Sequence, residues 1–145
     1  MSAEYFLDTN ILIYHIEASD PEKADRAGKL IRDAIETGLG CISFQVIQEC
    51  LNTVLRKAEI TLTPEQTRDY LEDVLTPLYQ VPATLGLYRR SLDIQSRYRY
   101  GFYDSLVIAS ALDAGCRVLY SEDLQHGQTI DDLTIRNPFT VEPAG

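Results

Sequence analysis

Short apolar runs alternate with longer segments of helical periodicity along this chain, and this pattern predicts its secondary structure. Strands are predicted at residues 4–8, 40–43, 79–83, 116–120 and 133–139. Helices are predicted at residues 10–17, 22–37, 44–58, 63–77, 84–99 and 103–114. Strands that alternate with helices favour an α/β three-layer sandwich with a mostly parallel sheet of four or five strands flanked by helices. Pro138 suggests that the last strand lies at an edge.

Residues that typically start or end a helix stand at the boundaries of several of these segments. Pro21 follows an aspartate at the start of the second helix, and Gly38 ends it. Ser43 is the expected N-cap of the third helix, and Gly115 closes the last one. The helix boundaries therefore agree with the hydrophobic pattern.

Length and charge limit the functions that fit. The chain has 145 residues, which predicts one domain (1–145) with a sizeable core. No apolar stretch reaches the length of a membrane span and no export signal is apparent, so a cytoplasmic protein is expected. The net charge of −9 repels nucleic acid, so binding of RNA or DNA would need a local basic patch or a metal site.

Cys41, Cys50 and Cys116 lack metal-type spacing and are expected to be reduced, partly buried thiols.

The apolar run EYFLDTNILIY is interrupted by polar residues where its strand ends. Asp8 stands at the C-terminal tip of the strand, where open α/β sheets bind ligands. Asn10 is polar in a place where the apolar run could have continued. An N-cap or an Asx turn is the alternative interpretation of Asp8.

Three further acids stand near the starts of helices or the ends of strands. Glu49 lies opposite the apolar arc of its helix, which by itself favours a solvated side chain. Asp104 shares a helix face with apolar residues, so we expect it on a buried stripe, or else in a first turn favoured by the helix dipole. Asp123 follows the strand at 116–120, where a capping role is the alternative.

These acids are more informative as a group. No lysine or arginine lies within three residues of Asp8, Glu49 or Asp104. Carboxylates that converge at one sheet edge repel one another and need cations. Oxygen-only ligands suit Mg²⁺ or Mn²⁺, which activate water and stabilise phosphoryl oxygens during hydrolysis.

Four segments, FLDTNILIY, ISFQVIQECLN, YGFYDSLVIASAL and VLYSEDLQHG, resemble in order and spacing the four motifs of PIN-domain ribonucleases. The resemblance extends from residue 5 to about 139, and the compact size is similar to that of VapC-type toxins of toxin–antitoxin pairs. It implies a PIN-like fold and a metal-dependent endoribonuclease that cleaves single-stranded regions of RNA with Mg²⁺ or Mn²⁺. An antitoxin protein and a homodimer are the partners that it implies.

The resemblance also assigns roles to residues. Asp8, Asp104 and Asp123 match metal-binding aspartates, and Glu49 matches the second-motif glutamate, which would ligate through water or orient the nucleophile. Supporting roles are implied for Asn10, which would brace Asp8, and for Ser121. Many members carry a further acid at the position of Gln125, so a second metal is not implied here.

A basic and aromatic segment, residues 87–104, is the candidate RNA contact. Arginines bind phosphates, and aromatic rings stack on unpaired bases. The candidate residues are Arg89, Arg90, Arg97 and Arg99. A solvated helix face with packed tyrosines is the alternative interpretation, and Arg56 with Lys57 is a lesser candidate.

Two other functions compete with the nuclease. A catalytically inactive PIN-like binding module would use the same acids to receive an arginine from a partner. A phosphotransferase of the aspartyl-phosphate type would use Asp8, but DTN supplies neither the second aspartate nor the basic residue that this chemistry needs.

Overall fold

A computed structural model describes residues 3–140 of the chain. Its strands are β1 (Tyr5–Leu7), β2 (Gly40–Ser43), β3 (Tyr79–Val81), β4 (Val118–Tyr120), β5 (Thr129–Ile130) and β6 (Leu133–Arg136). Its helices are α1 (Thr9–Ile16), α2 (Pro21–Thr37), α3 (Phe44–Arg56), α4 (Pro64–Tyr70), α5 (Thr76–Leu78), α6 (Leu85–Tyr98) and α7 (Phe102–Asp113). A π-helical turn, Leu71–Leu75, joins α4 to α5.

The strands form one sheet in the order β3-β2-β1-β4-β6-β5. Every neighbouring pair is parallel except β5 and β6. The predicted fold class, a mostly parallel sheet flanked by helices, is confirmed. The sheet has six strands instead of four or five, because the two-residue strand β5 is too short to show a hydrophobic pattern.

The edge position predicted for the last strand is wrong. β5 pairs with the outer side of β6, so β6 lies inside the sheet. Pro138 comes after β6 has ended at Arg136, and it therefore removes no hydrogen bond from the ladder.

Side-chain caps fix where the helices begin. Ser43 accepts a hydrogen bond from the Val46 amide and caps α3, as predicted. Thr63 and Gln66 form a capping box at the start of α4. Gly38 ends α2 with a φ of 72°, a conformation that glycine adopts without steric cost.

The core lies between the sheet and its helices. Phe6 and Leu7 of β1 are fully buried, and α7 is buried continuously from Ser105 to Ala111. All three cysteines are free of disulfide bonds, and they are buried more completely than the partial burial that the sequence predicted. None of the helices in residues 3–140 is both long and apolar enough to cross a membrane.

The order of the strands brings the predicted acids to one edge. β1 lies between β2 and β4 and is parallel to both. The C-terminal ends of these strands therefore point the same way, towards Asp8, the start of α3 and the segment that follows β4. α6 and α7 pack against each other, and the start of α7 supplies the remaining acid.

Candidate active site

Asp8 stands between β1 and α1 with both carboxylate oxygens hydrogen-bonded. Oδ1 accepts from the Thr9 amide at 2.8 Å, so Asp8 is also the N-cap of α1. Oδ2 accepts from the Ser121 hydroxyl at 2.7 Å. Only 8 % of Asp8 is exposed. The same buried carboxylate therefore caps α1 and stands at the C-terminal tip of β1, so the capping interpretation and the site interpretation of Asp8 are compatible.

Asn10 fixes the segment that follows β4. Its Nδ2 donates to Asp123 Oδ2 at 3.1 Å, and its Oδ1 accepts from the Glu122 amide at 3.3 Å. The Asp123 amide donates to Ser121 Oγ at 3.2 Å. The expectation that Asn10 braces Asp8 is wrong, because its side chain reaches across to Asp123 and Ser121 holds Asp8 instead.

Glu49 is half-buried and held from two sides. The Thr9 hydroxyl donates to Oε2 at 2.8 Å, and the amide Nε2 of Gln45 donates to Oε1 at 2.8 Å. The freely solvated position suggested by the helical wheel is therefore wrong, since a wheel does not show that the first turn of α1 contacts this face of α3.

Asp104 is exposed, unlike the prediction of a buried stripe. It lies in the first turn of α7, which begins at Gly101 without a side-chain cap, and the buried part of the helix begins at Ser105. Residues 102–104 of the first turn are all exposed, so the apolar pattern overestimated burial there. The alternative interpretation, a first-turn acid favoured by the helix dipole, agrees with this position.

Gln45 and Thr9 are site residues that the sequence did not single out. Gln45 is 3 % exposed, and its Nε2 also donates to the Tyr103 carbonyl at 3.1 Å, one residue before Asp104. Its Oε1 is buried and has no hydrogen-bond partner among the described residues. A buried polar residue four positions before Glu49 was the available signal, because residues four apart share a helix face.

The acidic cluster, as we name the four carboxylates of this region, is coupled electrostatically. Its members are Asp8, Glu49, Asp104 and Asp123. Burial raises the pKa of Asp8 to about 6, and the negative charges of Glu49 and Asp123 add to that increase. Hydrogen bonds from Ser121 and Thr9 act in the opposite direction. Partial desolvation, followed by the charges of Asp123 and Glu49, raises the pKa of Asp104.

The acidic cluster has the donor chemistry of a hard divalent cation. Its ligands are all oxygens, and no ion pair within residues 3–140 joins any of them to a lysine or arginine. Across the described part of the chain, however, no three His, Cys, Asp or Glu side chains are close enough to form a preformed metal site. The donor set thus fits Mg²⁺ or Mn²⁺, and the carboxylates would have to draw together to bind one.

A cleft of about 470 Å³ opens beside the acidic cluster, between α1 and α3. Asn10, Glu49 and Asp123 line its acidic end. Arg56 and Lys57 line it near the end of α3. Glu17 also lines the cleft and pairs with Lys57, so the cleft has an acidic end and a far end at which Arg56 has no ion pair among the described residues.

Comparison with known proteins identifies the family. A family model described as PIN domain matches residues 5–129. The chain belongs to the PIN domain family. No curated protein sequence matches the chain with significance.

Solved structures with similar folds come from toxin–antitoxin systems. A DNA-bound VapBC from Salmonella typhimurium has a TM-score of 0.68 at 20 % identity, covering 94 % of this chain and 98 % of that one. A toxin–antitoxin complex from Klebsiella pneumoniae has a TM-score of 0.66 at 15 % identity, covering 95 % and 100 %. VapC20 from Mycobacterium tuberculosis, a sarcin-ricin loop cleaving toxin, has a TM-score of 0.63 at 18 % identity, covering 83 % and 90 %. At these identities the likeness shows a shared fold.

The four candidate RNA-binding arginines of this PIN domain do not form one patch. Arg90 pairs with Asp113 at 2.8 Å, which places Arg90 beside the C-terminal end of α7, away from Asp104, and Arg89 precedes it in the same turn of α6. Arg97 lies about 10 Å further along α6. Arg97 and Arg99 are exposed near the turn that leads into α7. The predicted segment is therefore divided between the two ends of the helix pair.

Proposed function

We propose that this PIN domain is a divalent-metal-dependent endoribonuclease that hydrolyses RNA phosphodiester bonds and is the toxin of a toxin–antitoxin pair. One observation carries the proposal. The acidic cluster gathers carboxylates from separate elements without a cationic partner within the described residues, and the charges of Glu49 and Asp123 add to the burial that raises the pKa values of Asp8 and Asp104. A divalent ion relieves that repulsion, and hydrolysis is the chemistry that such an ion supports.

In this proposal Asp8, Asp104 and Asp123 hold the ion, which is Mg²⁺ or Mn²⁺. Once bound, the ion supplies positive charge to the phosphoryl oxygens and lowers the pKa of water. Glu49 ligates through water or orients the attacking water.

The supporting residues keep the carboxylates in place. Ser121 donates to Asp8 and favours its ionised form, which is the form that binds a cation. Asn10 holds Asp123 against the start of α1. Thr9 and Gln45 leave the Glu49 carboxylate little freedom to rotate.

The proposed partners are an RNA substrate, an antitoxin protein and a second copy of the chain, in the cytoplasm. Support comes from the neighbours named above, since several are toxin–antitoxin complexes and one is a toxin that cleaves the sarcin-ricin loop. A basic side chain of an antitoxin would complement the acidic cluster. Arg97 and Arg99 are the proposed RNA contacts from α6, because they lie at the end of the helix that leads to Asp104.

The test is incubation of the purified protein with defined single-stranded RNAs in Mg²⁺, in Mn²⁺ and in a chelator. We expect cleavage only with a divalent ion, and its loss in Asp104→Asn. Asp104 is exposed, so this substitution should leave the fold intact. Asp69→Asn, an exposed acid of α4, is the matched control. Metal-independent cleavage, or an active Asp104→Asn, would contradict the proposal.

A catalytically inactive PIN-like binding module remains the second candidate. The observation in its favour is that the described side chains form no preformed metal site. This candidate predicts that no RNA is cleaved under any metal condition, and that Mn²⁺ does not bind in calorimetry. Binding of Mn²⁺ that Asp104→Asn weakens at least tenfold would exclude it.

A further inference from the structure

Two clefts meet along one face of α3. Glu49 and Asn52 line the 470 Å³ cleft described above. The same two residues also line a second cleft, of about 340 Å³, together with Gln48 and Tyr103. The two clefts therefore adjoin at Glu49 and Asn52, and we name the pair the channel; Tyr103 lines only the second cleft and Arg56 only the first.

An exposed aromatic pair stands at the second cleft. Tyr103 is 68 % exposed and Phe102 is 39 % exposed, and their rings meet edge to face with centroids 5.4 Å apart. Only the backbone carbonyl of Tyr103 takes part in the hydrogen bond with Gln45. The ring of Tyr103 is thus left in solvent one residue before Asp104, although exposing an aromatic ring costs hydrophobic free energy.

A cation without an acidic partner lines the first cleft. Arg56 is exposed in the last turn of α3, and none of the ion pairs among the described residues includes it. Its neighbour Lys57 is already paired with Glu17 at 2.6 Å. In a chain with a net charge of −9, a guanidinium that faces a cleft and is not neutralised is suited to an external anion such as phosphate.

We propose that a single strand of RNA lies along this channel, with one base stacked on Tyr103 and a phosphate bound by Arg56. This inference rests on the proposed nuclease function and assigns the path of its substrate. Glu49 of the acidic cluster lies between the two contacts, because it lines both clefts, and Asp123 lines the first of them. Arg56 is seven residues beyond Glu49, or about 10 Å along the helix, which corresponds to about three nucleotides at a stacked rise of 3.4 Å.

The arrangement selects for unpaired RNA. A base can stack on Tyr103 only if its face is not covered by a neighbouring base pair. Stacking and a phosphate contact tolerate any base, so they position the strand without reading its sequence. The channel therefore predicts a preference for single strands and little dependence on the bases that flank the cleavage site.

The test measures binding of a fluorescent single-stranded RNA to the full chain carrying Asp104→Asn, so that cleavage does not interfere. In this background we compare Tyr103→Ala, Tyr103→Phe and Arg56→Ala. Tyr79→Ala and Arg117→Ala are the controls. Both residues are exposed and lie at the N-terminal ends of β3 and β4, whereas the acidic cluster lies at the C-terminal edge of the sheet. Circular dichroism verifies that each variant is folded.

We expect Tyr103→Ala to weaken binding at least fivefold and Tyr103→Phe, which keeps the ring, to bind within twofold of the background. Arg56→Ala should weaken binding at least threefold and reduce the slope of log Kd against log salt by about 1. Blunt-ended double-stranded RNA should bind more weakly and respond to neither substitution. Variants that bind single strands as the controls do, or a background protein that binds no single-stranded RNA, would overturn the proposed path.

Cleavage by the wild-type chain separates this inference from the function on which it rests. If the wild type cleaves RNA in Mn²⁺ and neither Tyr103→Ala nor Arg56→Ala changes binding, the nuclease proposal stands and the path is wrong. If both substitutions weaken binding while the wild type never cleaves, the path stands and the chain is a binding module.

Discussion

Ser121 donates a hydrogen bond to the Asp8 carboxylate at 2.7 Å, although 113 residues separate the two in sequence. Ser121 is fully buried, and its oxygen also accepts from the Asp123 amide. One hydroxyl therefore connects the end of β1 with the segment after β4. This link favours the ionised form of a carboxylate that burial would otherwise keep protonated.

Removing this hydroxyl should make cation binding more dependent on pH. In Ser121→Ala the pKa of Asp8 rises further, because a hydrogen bond that lowers it is lost. We expect Mn²⁺ affinity, measured by calorimetry, to decrease at least fivefold at pH 6 and much less at pH 8. Ser110→Ala removes a buried hydroxyl that donates to the Leu106 carbonyl within α7, and it should change neither value. An equal loss at both pH values would mean that Ser121 acts only through packing.

Neutralising Asp8 should stabilise the metal-free protein. The pKa of Asp8 is about 6 in the folded chain and near 3.8 in the unfolded one, so the folded state binds the proton more tightly. The free energy of unfolding then decreases as pH rises from about 4 to about 6, by about 3 kcal/mol in total. Asp8→Asn removes this decrease.

Urea denaturation in a chelator, at several pH values from 4 to 7.5, measures the effect. We expect Asp8→Asn to match the wild type near pH 4 and to exceed it above pH 6 by up to about 3 kcal/mol. Asp25→Asn, at an exposed position of α2, is the control and should follow the wild-type curve. If the free energy of unfolding depends on pH in the same way in Asp8→Asn and in the wild type, burial and repulsion do not raise the pKa of Asp8.

Gln45 connects Glu49 with the backbone before Asp104, so its loss should affect stability and cation binding together. Gln45→Leu leaves the Tyr103 carbonyl and one Glu49 oxygen without this donor, which should cost about 1–3 kcal/mol of stability. Gln45→Glu places a second carboxylate against Glu49, so that variant should be less stable at pH 7.5 and recover as pH falls. Thermal denaturation and Mn²⁺ titration measure both effects. Gln95→Leu, at an exposed position of α6, is the control. If Gln45→Leu lowers thermal stability and Mn²⁺ affinity no more than Gln95→Leu does, Gln45 does not connect the two acids.

Lys23 of α2 should control the mobility of the segment that follows β4. Its Nζ lies 2.6 Å from Glu122 Oε2, and the Glu122 amide is held by Asn10. In Lys23→Met, hydrogen exchange of the Glu122 amide should become faster while the exchange of β1 is unchanged. Lys29→Met breaks an exposed pair with Asp25 on the same helix and should leave the Glu122 amide as it is. If Glu122 exchanges at the wild-type rate in Lys23→Met, Asn10 alone is sufficient to hold this segment.

Local features of the sequence predicted most elements of the fold, because each such signal depends on a few neighbouring residues. The caps at Ser43 and Gly38 and the apolar strands are features of this kind. β5 was missed because a strand of two residues is too short to show an alternating hydrophobic pattern. Its pairing with β6 depends on the turn that brings the two strands together. The exposure of Asp104 was missed for a similar reason, since the apolar pattern of α7 does not show that the neighbouring elements leave residues 102–104 uncovered.

By itself, the sequence determined which residue types follow the strands and stand near the starts of the helices, and therefore the acidic chemistry of Asp8, Glu49, Asp104 and Asp123. Only the tertiary structure decided which side chains hold them: Asn10 contacts Asp123 instead of Asp8, and Gln45 serves Glu49 and the Tyr103 carbonyl at once. It also separated Arg90 from the acids by pairing it with Asp113. The physical reason is that periodicity and caps arise from local backbone geometry, whereas a hydrogen bond across 113 residues depends on how the whole sheet is ordered.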